Sequence, residues 1–586
     1  MIIDRRIREA AEDFGAIPVT QNGFQAHLRT NDNVFVLICL IDKAYDLNKP
    51  LYVAYLDLKN AFPGTDRSTL WVKLAAMGIS GPMIEWLKIL YDRIRYLVRL
   101  DGRFAPAFRS LLGILTGDPG SPHLWNLFMS DFILAWHPED IELNGVPITN
   151  VEHADDILTA SGSPSGLQSH LNGAQYWCNN NGCETSIPKC LSQVYGPQPK
   201  IAPRLHLRGH EIAMVKQACY LGVWFEMGTK FMWREQYKVK SKKARTIANV
   251  ILGLDRFVGT LPAWDARTLY MARVDPYLTA GCDVCLDVDV KGLKMLEKVQ
   301  CTFLRRMLGL GSRSMKAVLF SETGIWPIRY RRIYLALKNV CYRLELDHQR
   351  PAWNALQDSL ALARAQKISW FNDLRIVLSR LHIPVPFDIS LEVTVGYVES
   401  VMKNVKLSME AWIDSEIESS SRVRDLLVGR LEFDNDTQKL VKKSLDFRHY
   451  LRVKTTDHRR ALTRMILSGH SLAIERRRWK ERRKPVVPRN WRLCRFCYAY
   501  IEDPAHAMFA CQHPELLPIR ELFLTKLYET LPELSGTLEV DNVLKFFRDL
   551  LPRREITPLL AKLAYDVQRI FDATEMLRVY EPGTTV

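Results

Sequence analysis

The stretch Leu51-Tyr52-Val53-Ala54-Tyr55-Leu56-Asp57 is an apolar run of strand length that ends on a carboxylate. Its β-branched and aromatic members favour a strand. A second signal surrounds Asp155-Asp156, which we expect at the tip of a hairpin between Val151 and Ile157-Leu158. Adjacent carboxylates at a turn repel one another, and a bound cation removes that cost. Because Mg²⁺ prefers carboxylate oxygens, the two stretches together predict a magnesium site on neighbouring strands.

The overall composition is that of a globular protein with a basic surface. Apolar residues make up 47% and charged residues 25% of the 586 residues, a mix that argues against long disordered stretches. Lysine and arginine outnumber aspartate and glutamate by 80 to 65, a net charge of +15. A balance this basic favours a polyanionic partner, either nucleic acid or an anionic membrane surface.

The sequence gives no sign of a membrane span or a secretory signal. The longest apolar stretch near the start, Val34 to Ile41, is far shorter than the roughly 20 residues of a spanning helix. The opening Met1-Ile2-Ile3-Asp4-Arg5-Arg6 lacks the apolar region of a secretory signal. We therefore expect an intracellular protein of the nucleus or cytoplasm, with no membrane partner and with reduced cysteines. Most cysteines are predicted to be core residues, among them Cys39, Cys219, Cys301 and Cys341.

Periodicity and turn residues predict an α+β region up to about residue 225 and a mostly helical region from about 230 to 460. In the first region we expect helices over about 33–48, 67–78, 81–92 and 122–136. Arg95 to Leu100 is predicted to be a strand closed by the turn Asp101-Gly102. Asn144-Gly145 signals a hairpin whose returning strand we place at Val151 to Thr159.

Five stretches in this order resemble the motifs of the reverse transcriptases of non-LTR retrotransposons, particularly those of fungi. Tyr55–Phe62 resembles the first palm motif, and Gly113–Leu127 resembles the glycine loop and helix of the second. His153-Ala154-Asp155-Asp156 is similar to the Tyr/Phe-Ala-Asp-Asp box of the family. Ser186–Lys189 falls where the family has Asn-x-x-Lys, and Tyr220–Val223 resembles the motif that grips the primer.

The resemblance implies a right-hand polymerase fold, with fingers and palm followed by a mostly α-helical thumb and a C-terminal region. It also implies an RNA-directed DNA polymerase that takes an RNA template, a DNA primer and dNTPs. The roles it assigns are two-Mg²⁺ binding for Asp57, Asp155 and Asp156, leaving-group protonation for Lys189, dNTP selection for Phe62, nucleotide contacts for Thr116 and Gly117, and primer grip for Tyr220, Leu221 and Gly222.

The sequence departs from the family pattern at several points. The family's Gln-x-Gly-Phe-Arg is here Gln21-Asn22-Gly23-Phe24-Gln25, and a neutral Gln25 cannot grip a triphosphate as arginine does. Arg29 is the candidate substitute. Met1 to Ala11 resembles a helix that lies well inside the family's domain, so we expect an N-terminally truncated chain. The alternative function is therefore a catalytically inactive remnant that only binds nucleic acid. A third hypothesis, RNA synthesis or terminal transfer on the same palm, predicts use of NTPs.

Cys494-x2-Cys497-x8-His506-x4-Cys511 has the ligand types and number of a structural Zn²⁺ site. It resembles the C-terminal zinc knuckle of non-LTR elements, and His513 is a rival ligand. Cys282 and Cys285 have no partner pair nearby and are predicted to be core. Basic residues interleaved with tryptophan precede the cluster and favour nucleic-acid binding, although a solvated helix face would show the same pattern. They are Arg476, Arg477, Arg478, Trp479, Arg482 and Arg483.

We place the domain boundaries from these changes in pattern. Residues 1–228 would form incomplete fingers and the palm, 229–345 a helical thumb-like region and 346–460 a helical connector. Residues 461–515 would hold the basic segment and the knuckle, and 516–586 the C-terminal helices.

Overall fold

The computed structural model describes residues 2–228, 232–434, 438–480, 485–539 and 542–579. Its central feature is a five-stranded sheet in the order β11-β8-β1-β7-β6. The sheet strands are Leu51–Asp57 (β1), Asn150–His153 (β6), Asp156–Ser161 (β7), Leu191–Tyr195 (β8) and Ala213–Met214 (β11). β1 lies at the centre, antiparallel to both β7 and β8.

Short hairpins surround this sheet. Their strands are Arg99–Leu100 (β2) with Arg103–Phe104 (β3), Glu142–Leu143 (β4) with Val146–Pro147 (β5), His206–Leu207 (β9) with His210–Glu211 (β10), and Gln217–Tyr220 (β12) with Val223–Glu226 (β13). The helices of this part are Ile2–Asp13 (α1), Thr30–Asp46 (α2), Ala61–Gly64 (α3), Arg67–Ala76 (α4), Pro82–Arg93 (α5), Ser121–Phe128 (α6) and Pro164–Asn180 (α7).

Both faces of the sheet are buried, which explains why β1 is apolar throughout. Leu51, Val53 and Tyr55 belong to one hydrophobic core, whereas Tyr52, Ala54 and Leu56 belong to the other. This division follows from the alternation of side chains along a strand. The first core continues into α2 and the C-terminal half, and the second contains side chains of α1, α4, α5, α6 and α7.

The rest of the chain is mainly helical. Its helices are Arg234–Gly253 (α8), Asp255–Val258 (α9), Ala263–Leu269 (α10), Asp275–Thr279 (α11), Val290–Leu308 (α12), Ala317–Thr323 (α13), Ile328–Leu344 (α14), Pro351–Arg364 (α15), Trp370–Ser379 (α16), Val395–Glu418 (α17), Arg424–Leu427 (α18), Thr456–Ile466 (α19), Ala473–Arg476 (α20), Leu517–Thr530 (α21), Val543–Leu550 (α22) and Thr557–Ala573 (α23). One hairpin, Leu431–Asp434 (β14) with Lys439–Lys442 (β15), interrupts the predicted helical region.

The strand prediction for β1 is confirmed, and so are the turns at Asp101-Gly102 and Asn144-Gly145. The returning strand of the second turn was wrongly placed. The chain returns at once as Val146–Pro147, and 151–159 is divided between β6 and β7. The reason is a second turn at Ala154, whose φ of +62° reverses the chain inside the predicted strand.

Three further boundaries differ from the prediction. The helix expected over 33–48 spans Thr30–Asp46, because Asp32 accepts a hydrogen bond from Arg29 N and caps an earlier start. The helix expected over 122–136 ends at Phe128, whose carbonyl accepts a hydrogen bond from Lys73 Nζ at 2.7 Å. Only Arg99 and Leu100 of the strand expected from Arg95 are paired in β2, because Tyr96 pairs instead with Phe108.

Eight of the twelve cysteines are buried, and Cys341, which was predicted to be a core residue, is only half-buried. Cys39, Cys282, Cys285 and Cys301 are core residues as predicted, but Cys219 is exposed. It lies on the outward face of β12, where the alternate residues are the buried ones. Across the described parts of the chain, no helix combines the length and apolar character needed to cross a membrane.

Candidate active site

Three aspartates meet where β1, β6 and β7 end. The register of β1 and β7 places Asp57 directly opposite Asp156. Asp155 occupies the tight turn between β6 and β7, next to Ala154. The β6–β7 hairpin therefore places Asp155 and Asp156 beside Asp57 at the end of β1.

The electrostatics of this cluster favour a bound cation. Burial raises the pKa of the Asp155 carboxyl, and the Asp57 carboxylate raises it further. Burial together with repulsion from Asp155 and Asp57 raises the pKa of Asp156 to about 6. Lys189, in the helical turn Ile187–Lys189, donates from Nζ to both Asp57 oxygens, at 3.1 and 3.2 Å. A positive group thus already contacts the cluster, and the donor set is the one Mg²⁺ prefers.

The aspartates are nevertheless less tightly gathered than a closed metal site. Among the described residues, candidate ligand atoms of His, Cys, Asp and Glu come within 4.8 Å of one another in the Cys/His cluster below and not at the three aspartates. The carboxylates at the sheet end would suit Mg²⁺, which prefers carboxylate oxygens and keeps several waters.

Gln21 holds the turn that carries Asp155 and Asp156. Its Oε1 accepts from Ala154 N at 2.8 Å and Gly23 N at 2.7 Å, and its Nε2 donates to Ala154 O at 3.1 Å. The side chain is buried, with 2% exposure. Backbone bonds from Asn22 N to Glu152 O and from Glu152 N to Thr20 O dock the same segment on β6. The strained turn is therefore fixed by a residue far away in sequence.

The remainder of the Gln21–Gln25 motif packs around this clamp. A Cβ at Gly23 would lie 2.2 Å from Ala154 N, so glycine is required there. Asn126, buried in α6, donates to Gly23 O at 2.8 Å. Gln25 Oε1 accepts from the Arg350 guanidinium at 3.2 Å. An arginine from the helical region thus contacts Gln25, the residue that stands where the family pattern has arginine.

Arg29, the predicted substitute, contacts helix α14. Its guanidinium lies 3.8 Å from the centre of the Tyr342 ring and donates to Asn339 Oδ1 at 2.8 Å. The Arg29 guanidinium is therefore held against α14.

Phe62 lies between the two neighbouring motifs. Its ring stacks on Trp125, with centroids 5.6 Å apart, and meets the Phe24 ring edge-on. Phe62 O accepts from Ile114 N at 2.9 Å, which joins the first motif to the second. Thr116 and Gly117 are exposed on the loop before α6, and Gly117 has a φ of +90° with open space where a Cβ would stand. A ligand could approach the backbone closely at that point.

Tyr220, Leu221 and Gly222 form the turn between β12 and β13. Leu221 and Gly222 both have positive φ, the conformation of a two-residue hairpin turn. The Tyr220 ring is buried 5.3 Å from the Tyr55 ring, so it ties the turn to β1. Helix α8 packs against β13 and exposes basic side chains that our sequence analysis did not single out, although their spacing signals a basic helix face. They are Arg234, Lys238, Lys242, Lys243 and Arg245.

The Cys/His cluster is assembled in the structure. Candidate ligand atoms of Cys494, Cys497, His506 and Cys511 all lie within 4.8 Å of one another. The Cys494 and Cys511 sulfurs are 3.8 Å apart, the edge of a tetrahedron with Zn–S bonds of about 2.3 Å. Cys497 Sγ lies 3.4 Å from His506 Nε2. The donors and their spacing therefore fit a tetrahedral Zn²⁺ ion.

The residues around the cluster are held by ring stacking and hydrogen bonds. The rival ligand His513 instead stacks on Phe496, with ring centroids 4.1 Å apart. Arg495 is buried between the paired Glu502 and the carbonyls at the end of α23. The Cys/His cluster is thus linked to the C-terminal helix by hydrogen bonds from Arg495, whose charge is neutralised by Glu502.

In the basic segment at 476–483, some of the described basic side chains are exposed and others are paired within the protein. Arg476 is exposed, Arg477 donates to Met576 O and Leu577 O, and Arg478 pairs with Glu475. The Trp479 ring is faced by the guanidiniums of Arg313, Arg422 and Arg478, at 4.7, 5.9 and 4.6 Å. Arg482 and Arg483 lie outside the described residues.

Comparison with known proteins agrees with the site. Residues 1–225 match the family model described as reverse transcriptase (RNA-dependent DNA polymerase). Over these residues the chain is therefore similar to reverse transcriptases, among them those of non-LTR retrotransposons.

Two relatives illustrate the homology. One is the retrovirus-related Pol polyprotein of a type-2 retrotransposable element from Drosophila melanogaster, 26% identical over 216 residues, or 35% of this chain and 20% of the relative. The other is the RNA-directed DNA polymerase of the mobile element jockey from the same organism, 25% identical over 223 residues, or 37% of this chain and 24% of the relative. The chain thus spans about a fifth to a quarter of the length of these curated relatives.

Among solved structures, a telomerase from Candida albicans in complex with a fragment of telomeric RNA is similar with a TM-score of 0.31 and 11% identity, covering 69% of this chain and 57% of that one.

Proposed function

We propose that this chain is the RNA-directed DNA polymerase of a non-LTR retrotransposon, of the fungal type that its Leu115–Pro119 sequence resembles. The observation that carries the proposal is the position of Asp57 opposite Asp156, with Asp155 in the adjoining turn. The match of residues 1–225 to the reverse transcriptase family supports it independently.

The proposed reaction follows from these side chains. The carboxylates of Asp57, Asp155 and Asp156 would hold two Mg²⁺ ions, whose chemistry when bound is to activate the primer 3′-hydroxyl and stabilise the charged phosphate. The Gln21 clamp would keep the two hairpin carboxylates in place. Lys189, whose Nζ lies 3.1 Å from Asp57 Oδ2, would give a proton to the departing pyrophosphate.

Other residues would position the nucleic acid and the nucleotide. Phe62, backed by Trp125, would lie under the sugar and exclude a 2′-hydroxyl, so the substrates would be dNTPs. Thr116 and Gly117 would contact the nucleotide, and the Tyr220–Gly222 turn would hold the DNA primer on its RNA template. Arg350, which contacts Gln25, is better placed than Arg29 to supply a positive charge beside the finger motif.

We assign the remaining regions as follows. Residues 1–228 would form fingers and palm, 229–345 a thumb, 346–460 a connector, 461–515 the basic segment with a Zn²⁺ knuckle, and 516–586 the C-terminal helices. Zn²⁺ on Cys494, Cys497, His506 and Cys511 would be structural, since all four positions of a tetrahedron are filled by protein.

The second candidate function is an inactive fragment that only binds nucleic acid, and the neutral Gln25 is the observation that favours it. Primer extension on poly(rA)/oligo(dT) with Mg²⁺ separates the two. The polymerase assignment predicts dTTP incorporation by the wild type and only background by Asp155→Asn. Incorporation at background by both would leave the binding function, and incorporation of UTP in place of dTTP would favour RNA synthesis.

A further inference from the structure

A cavity of about 380 Å³ lies beside the Cys/His cluster, away from the aspartates. Its wall includes Asp503 and Ala505, and Asp503 Oδ1 accepts from His506 N at 2.9 Å, so the cavity and the knuckle share a wall. Segments 421–426, 465–478, 489–492 and 503–505 meet around it, together with Leu544. The volume is within the range of small-ligand sites.

The lining carries an excess of positive charge. Four arginines face three carboxylates around the cavity: Arg422, Arg478, Arg489 and Arg492 against Asp425, Glu475 and Asp503. Glu475 is shared, because it accepts from Arg422 at 2.5 Å and from Arg478 at 3.2 Å. The ion pair between Asp425 and Arg489 is longer, at 3.4 Å.

The arginines are close enough to repel one another. Arg478, Arg489 and Arg492 all line this one cavity, so their like charges repel. An anion placed between these groups would relieve that repulsion. Arg478 is also held against the Trp479 ring, at 4.6 Å, so its position is largely fixed before a ligand arrives.

An independent observation is His470, which lines the same cavity. It is 2% exposed, and its Nδ1 has no hydrogen-bond partner among the described residues. Burial and the neighbouring Arg422 and Arg476 lower its pKa to about 3, so the ring is neutral at physiological pH. A buried polar nitrogen without a partner is costly, and a ligand oxygen in the cavity would satisfy it.

We propose that this cavity binds a phosphodiester group of single-stranded nucleic acid, with Arg478, Arg489 and Arg492 contacting the phosphate and His470 donating from Nδ1. The site would anchor a strand beside the knuckle, at a distance from the polymerase centre. It rests on the proposed function only for the choice of a nucleic-acid ligand, and it needs none of the three aspartates.

Fluorescence anisotropy of the full chain with a labelled single-stranded RNA, over a series of salt concentrations, tests the proposal. The cavity variant is Arg478→Gln/Arg489→Gln, whose side chains are 27% and 47% exposed and each pair with a carboxylate. The matched control is Arg329→Gln/Arg553→Gln, with exposures of 36% and 39% and the same kind of ion pair. Both variants remove two charges, so a general electrostatic effect would change both equally.

We expect the cavity variant to bind about tenfold more weakly. The slope of log K against log salt concentration should become shallower by about 0.7 for each arginine removed, while the control keeps the wild-type slope. His470→Phe keeps an aromatic ring but removes the imidazole nitrogens. It should weaken binding without changing the salt dependence. Equal losses in the cavity variant and the control, or no loss with His470→Phe, would overturn the proposal.

Two further arms identify the ligand. The RNA and a DNA of the same sequence should both bind the cavity variant more weakly than the wild type, since both carry phosphodiesters. Displacement of the strand by an equal concentration of inorganic phosphate would overturn the proposal in favour of a simple anion site. The whole series is repeated with Asp155→Asn, so loss of polymerase activity and loss of cavity binding are read separately.

Discussion

Replacing Gln21 with methionine tests whether the clamp on the aspartate turn matters for catalysis. Methionine keeps the length of the side chain but makes none of the three hydrogen bonds to Ala154 and Gly23. These backbone groups are buried. Each would be left without its side-chain partner, at a cost of about 1–3 kcal/mol. With some local relaxation, we expect a loss of roughly 2–5 kcal/mol in the free energy of unfolding.

The effect on activity should exceed the effect of lost stability alone. A displacement of about 1 Å in a reacting group can lower a rate by roughly 10²-fold. We therefore expect Gln21→Met to lower the single-nucleotide extension rate by about that factor, at a temperature where the protein is fully folded. Urea unfolding followed by tryptophan fluorescence gives the stability, and rapid-quench primer extension gives the rate.

Gln300→Met is the control for this experiment. Gln300 is also fully buried and also makes three hydrogen bonds, to Tyr270, Trp326 and Ile328. Its loss should cost comparable stability but change the extension rate by less than about twofold, because it lies in a separate part of the core. If both variants were equally stable and equally active, the clamp would be a structural contact with no role in placing the aspartates.

Three other outcomes follow from the structure. Cys494→Ser should lower the zinc content measured by mass spectrometry from one ion per chain to none, together with the melting temperature; unchanged zinc would assign the metal elsewhere. Phe62→Ala should raise the use of UTP relative to dTTP by about tenfold, and an unchanged ratio would remove Phe62 from sugar selection. Burial raises the pKa of Glu432, but His449 and Arg430 outweigh it and lower the pKa to about 2 from 4.5. The stability this carboxylate contributes is present above pH 4.5 and is lost as the pH falls towards 2. Glu432→Gln should therefore show a shallower acid-induced loss than the wild type in urea unfolding, and parallel curves would refute the linkage.

The parts of the site that sequence alone located are those with local signals. The β1 strand has an unbroken apolar run because both of its faces are buried, so Asp57 could be placed at its end. The Cys/His cluster was located from the spacing of its residues, because Cys-x2-Cys forms a tight local turn. In each case the residues that decide the structure are close together in the chain.

The parts that sequence did not reveal depend on contacts between distant residues. Gln21 contacts Ala154 across 133 residues, and Arg350 contacts Gln25 across 325. At the early end of α6, the Phe128 carbonyl accepts a hydrogen bond from Lys73, a contact across 55 residues that helix propensity does not predict. The arginine cavity is likewise assembled from five separate parts of the chain.

The central claim is that the three carboxylates form the metal site of a polymerase. Its most direct test is single-turnover incorporation of one dTMP on poly(rA)/oligo(dT), as a function of Mg²⁺, by Asp57→Asn, Asp155→Asn and Asp156→Asn. Asp101→Asn, in the exposed turn of the β2–β3 hairpin, is the control. We predict Mg²⁺-dependent incorporation by the wild type and the control, and rates lower by about 10³-fold in each of the three site variants. Wild-type rates in any of the three, or no incorporation by the wild type itself, would contradict the claim.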